Sequence, residues 1–253
     1  MLKLCLPIVR VLLLFLALAS PAFAEDGLLD AAAARDAAQA FRVYVEGVAK
    51  KGERPELTRP EVAALLDRIF DLDALNALPP AQGSDLPWLL DWMEAANAAN
   101  KLITRYGSKP GPGPDLAAIE RNMAEYEDQF AVALNFLIRG QAREAVSSNL
   151  FWEGLAPEQR TRVREQGFMG ARNSTAEFVL SAICSGVTSG GKPANARLVA
   201  AAVRDTREVW ANYFLPQHRS RILQQLADYT RQVPDETARA DIVAFAAALQ
   251  AVN

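Results

Sequence analysis

Histidine and cysteine are almost missing from this chain of 253 residues: it has one histidine, His218, and two cysteines, Cys5 and Cys184. These side chains hold zinc, haem and most transition metals, and Cys5 lies in an N-terminal segment that reads as a leader. A zinc site would then have at most two such ligands, Cys184 and His218. Carboxylate-bridged di-metal bundles need Glu-x-x-His on two helices, which one histidine cannot supply. The haem-attachment pattern C-x-x-C-H is absent as well. Met93, Met123 and Met169, the formal partners for His218 on a non-covalent haem, stand at helical spacing and read as core filler. We expect no metal and no cofactor.

Other absences are as informative. No G-x-S-x-G turn is present to raise a nucleophilic serine, and no sustained alternation of apolar and polar residues marks a half-buried strand. Charge is balanced, with 27 basic and 30 acidic residues and no concentrated basic run, which argues against nucleic acid as a partner. Long apolar runs are confined to one place, Val11–Ala19.

That run follows Lys3 and Arg10 and is broken by Pro21 ahead of Ala22-Phe23-Ala24. A charged start, a short apolar stretch and an A-x-A site are the parts of a cleavable export signal. Arg10 interrupts the run and leaves it short of the roughly 20 apolar residues a spanning helix needs. We read residues 1–24 as a signal peptide and 25–253 as the mature chain, periplasmic or secreted, with no integral membrane span after cleavage. Lys3 and Arg10 leave with the signal, so 25 basic residues then face 30 acidic ones. Cys184 remains as a single thiol, which excludes an internal disulfide and reads as a buried, inert side chain. Stability must then come from packing.

What is present is helical periodicity. From Asp115 to Arg139, Ile119, Met123, Tyr126, Phe130, Leu134 and Leu137 recur at steps of three or four. This spacing predicts a central helix of roughly seven turns. It lies between Gly107–Pro114, the densest Gly and Pro stretch of the chain, and Gly140. Around it the pattern predicts helices over 28–50, 60–70, 86–106, 141–155, 158–166, 178–187, 193–215 and 216–232, with a last one after Pro234-Asp235. Thr58-Arg59-Pro60-Glu61 and Ser174-Thr175-Ala176-Glu177 read as capping boxes. The fold class is all-α: a bundle of about eight or nine helices around 115–139. It reads as one domain with an exposed connection at 107–114, the alternative being two lobes, 25–106 and 115–253.

Chemistry is sparse. His218, in a first helical turn beside Arg219 and Arg221, reads as solvent-facing or capping. Glu153, between Trp152 and Gly154, is the best local candidate for a general acid, because a carboxyl beside an indole can be held protonated. The acids Glu120, Glu125, Glu127 and Asp128, and the basic Arg160, Arg164 and Arg172, read as solvated faces. Trp88, Trp92, Trp152 and Trp210 lie near helix ends and bends, where indoles fill cores or anchor binding clefts. The function expected is therefore an exported, non-enzymatic binding or interaction module of the bacterial cell envelope, taking a protein partner or a small apolar ligand at these four indoles. The alternative is a carboxylate-dependent hydrolase of cell-wall glycan working through Glu153.

Overall fold

A computed structural model describes residues 25–109, 113–188 and 191–252, with side chains from 29 onward. The expected signal peptide lies outside the described residues. Within them the chain forms eleven α-helices and no strand: α1 Glu25–Lys50, α2 Pro60–Ile69, α3 Leu72–Ala77, α4 Leu86–Thr104, α5 Leu116–Glu125, α6 Glu127–Gly154, α7 Arg162–Val187, α8 Pro193–Asp205, α9 Arg207–Tyr213, α10 Pro216–Gln232 and α11 Glu236–Ala251. Single 3-10 turns stand at Gly83–Asp85 and Pro157–Gln159. No described helix is long and apolar enough to cross a membrane.

The spine of the molecule is α6, and it departs from the expected 115–139 helix at both ends. The helix breaks at Tyr126, which takes φ −109° and ψ 34° between α5 and α6. Neither Gly nor Pro stands there. The cause is tertiary: fully buried Asn122 donates from Nδ2 to the carbonyls of Thr104 (3.1 Å) and Tyr106 (2.7 Å). It thereby caps the open end of α4 and fixes the direction of α5. At the other end, α6 runs through Gly140 to Gly154 without interruption. A β-carbon at Gly140 would overlap the thioether of Met93, so the residue permits close approach of α4 rather than ending the helix.

Two apolar clusters flank α6. On one side Phe136 and Leu137 pack with Phe41, Ile69, Phe70, Leu89, Trp92 and Ile103 from α1, α2 and α4 and from the residue after α2. On the other, Leu134, Ile138 and Ala142 pack with Ile183, Val199, Trp210, Ile222, Ile242 and Phe245 from α7 to α11. Full burial of each such side chain is worth about 1.5–3 kcal/mol, and among the described residues, whose single cysteine Cys184 is free, these clusters hold the fold without a disulfide.

Other local expectations change for identifiable reasons. The predicted 193–215 helix bends at Thr206, whose hydroxyl donates to the Ala202 carbonyl (2.7 Å) and accepts from Trp210 Nε1 (2.8 Å). The 158–166 and 178–187 helices are one, α7, capped by Thr161, which accepts from the Arg164 amide. Ser174 and Glu177 therefore lie in mid-helix and form no capping box. At α2 the N-cap is Arg59 with Pro60 in the first turn, and no side chain caps it. By contrast, Asp235 caps α11 as its position suggested, accepting from Ala238 N (2.9 Å).

Candidate polar site between α6, α7, α9 and α10

The second half of α6 places Glu144, Ser148 and Trp152 four residues apart, which aligns them on one face. On α7 the same interval aligns Phe168 and Arg172. These rows meet. Trp152 stacks on Phe168 with ring centroids 5.1 Å apart and planes 6° from parallel. The Arg172 guanidinium then lies over two rings, 4.5 Å from Phe168 and 5.0 Å from Tyr213 of α9. Tyr213 meets Trp210 edge-on at 6.4 Å, and Trp210 stacks on Phe214 at 5.4 Å. A ladder of rings and one cation thus runs from half-buried Trp152 into the core. Arg160 covers its outer end at 6.0 Å from the Trp152 ring.

Both rings attract the Arg172 charge. One edge is used: Nη2 donates to Asn149 Oδ1 (2.8 Å). Its Nε is buried with no partner. Glu144 is only partly exposed, and its carboxyl end lies in the desolvated interior, which pushes its pKa up to about 7. Burial also raises Tyr213 to about 12, with the Glu144 charge adding to it and Arg172 and Ser148 opposing. On α10, His218 is 7% exposed, not solvent-facing as its position suggested, and its Nδ1 has no partner. Burial lowers its pKa, and Arg221 and Arg172 lower it further, against Glu177. Arg221 is paired through Nη1 with Glu177 of α7, while its Nε and Nη2 are buried and unpartnered.

The indoles singled out by sequence fall in different places. Trp88 and Trp92 are buried in the α1–α4 cluster, where Trp92 Nε1 donates to the Ile69 carbonyl (3.0 Å). Trp210 is fully buried in the other cluster. Only Trp152 reaches solvent, and Trp152 and Trp210 are joined through the ladder while the other pair is not. Glu153 is exposed, and its backbone carbonyl accepts from Arg160. Cys184 is partly exposed rather than buried. The acids of α5 and α6 do not meet the arginines around α7. Glu125 pairs with Arg54 and Asp128 with Lys192, while Arg160 and Arg164 bind backbone carbonyls. Sequence reasoning passed over Glu144 and Phe168 and took Arg221 only as a charge beside His218. The signal available for the first two was the i, i+4 spacing of Glu144-Ser148-Trp152 and Phe168-Arg172.

Among the described residues no group of three or more His, Cys, Asp and Glu side chains is placed to hold a metal ion. No protein-family model, curated protein or solved structure matches this chain.

Proposed function

We propose that the protein is a non-enzymatic helical binding module of the bacterial cell envelope, exported by its N-terminal signal. The observation that supports this reading is the ladder at the α6–α7 edge. Trp152 and Phe168 offer a stacked, half-buried aromatic face, and exposed Leu150, Val163 and Met169 stand near them in sequence. Rigid aromatic area of this kind costs little conformational entropy to order, which suits it to anchoring a partner or a small ligand. Native mass spectrometry of protein purified from its own compartment tests the reading. A bound mass or a partner, lost in Trp152→Ala, is expected. A bare monomer would overturn it.

The second reading, a carboxylate-dependent hydrolase of cell-wall glycan, has one supporting observation, and it shifts the acid from Glu153 to Glu144. A carboxyl that keeps its proton near neutral pH is what a general acid requires. Turnover of cell-wall material that is lost in Glu144→Gln and retained in Glu153→Gln would establish this reading in place of the first.

A further inference from the structure

Four buried nitrogens in this cluster have no hydrogen-bond partner: Arg172 Nε, His218 Nδ1, Arg221 Nε and Arg221 Nη2. A buried donor left unpaired costs about 1–3 kcal/mol, and more when charged. An arrangement that gathers four of them on two packed helices, α7 and α10, calls for a group that supplies the missing partners. We propose that the Arg172–His218–Arg221 cluster binds a small carboxylate.

The chemistry of each donor points the same way. Arg221 Nη1 is taken by Glu177, which leaves Nε and Nη2. These two share the other edge of the guanidinium and present parallel N–H bonds, the fork that matches the two oxygens of a carboxylate. Arg172 lies over the Phe168 and Tyr213 rings and donates from Nη2 to Asn149, while its Nε–H is buried with no partner. His218, kept neutral by burial and by the two arginines, can carry its proton on Nδ1 as a further donor.

Charge accounting selects a monoanion. Arg221 is paired with Glu177, Arg172 has no ion pair among the described residues, and desolvation pushes the nearby Glu144 carboxyl up to about 7, so that it holds its proton below neutral pH. One positive charge is left over. The Arg221 and Glu177 side chains are 36% and 26% exposed, so the buried donors lie just beneath the surface.

This inference rests on the binding-module reading and names its ligand chemistry. It is tested on the full mature chain with sodium acetate as the probe, following the arginine Nε–H resonances by NMR. Phosphate and chloride are matched to it in ionic strength. Saturable shifts of the Arg172 and Arg221 Nε–H signals with acetate are expected, weakened at least tenfold in Arg221→Lys, which keeps the charge but lacks the fork. No saturable shift, an equal response to chloride, saturation by phosphate alone, or unchanged acetate affinity in Arg221→Lys would each overturn the proposal. The wild-type titration decides the matter even where a variant fails to fold. A bound mass from the native compartment that persists in Arg221→Lys, with no acetate response, would sink this inference and leave the binding-module reading standing.

Discussion

Gly140, midway along α6, lies directly against the thioether of Met93 in α4, with Leu75 close by. The two helices can approach this closely because one of them carries no side chain at the contact. Gly140→Ala should therefore destabilise the protein by about 1–3 kcal/mol, despite the better helix propensity of alanine. Denaturant midpoints measure it. In a Met93→Ala background the penalty should largely vanish, since the colliding atoms are gone, and a fully additive double mutant would show that the contact does not limit packing.

Phe168 carries two neighbours at once, the Trp152 ring and the Arg172 guanidinium. Phe168→Ala should cost about 1–3 kcal/mol through lost stacking and cation–π attraction together. It should also shift Trp152 emission to longer wavelength as the indole gains water. Unchanged emission would mean that the stack does not persist in solution.

Glu144 ties stability to pH. Its carboxyl has an ordinary pKa of 4.5 and is pushed up to about 7 in the fold. Between those values the native state holds a proton that the unfolded chain has released. The contribution is full below pH 4.5 and is lost as pH rises through 7, a difference on the order of 3 kcal/mol. Glu144→Gln should remove that slope and be more stable than wild type at pH 8. Thermal unfolding from pH 4 to pH 8 in both proteins checks the sign.

Asp235 works in the opposite direction. Its bonds from Arg197 and the Ala238 amide hold it at about 2, below its ordinary 3.8. The stability it contributes is present above pH 3.8 and is lost as pH falls toward 2. Asp235→Asn, which keeps a capping oxygen but not the ion pair, should flatten acid unfolding in that window. An acid limb identical to wild type would dissociate the Arg197 pair from stability.

Periodicity made the helical class and most helix starts legible, because buried stripes, Pro193, Pro216 and Asp235 act locally. The breaks were not. Tyr126 and Thr206 interrupt helices without any breaker residue, the first beside the long-range bonds of Asn122 to the end of α4, the second where the Thr206 hydroxyl bonds locally to Ala202 and Trp210. Gly140, the residue that looked like a terminator, is a contact point. The candidate site was hidden for a related reason. Arg172 reads as a solvated charge and His218 as an exposed one until α9 and α10 fold across α7 and bury them. Four tryptophans of equal promise in sequence separate into three core residues and one surface anchor only when the two clusters are assembled.

The 28-residue α6 has Phe136 and Leu137 turned to one apolar cluster and Leu134 and Ile138 to the other. Neither half of the molecule can melt without stripping the partner from a helix that the other half requires. The protein should consequently lose structure in one concerted step, and an indole reporter at Trp92 should give the same midpoint as one at Trp210, although no ring contact connects them.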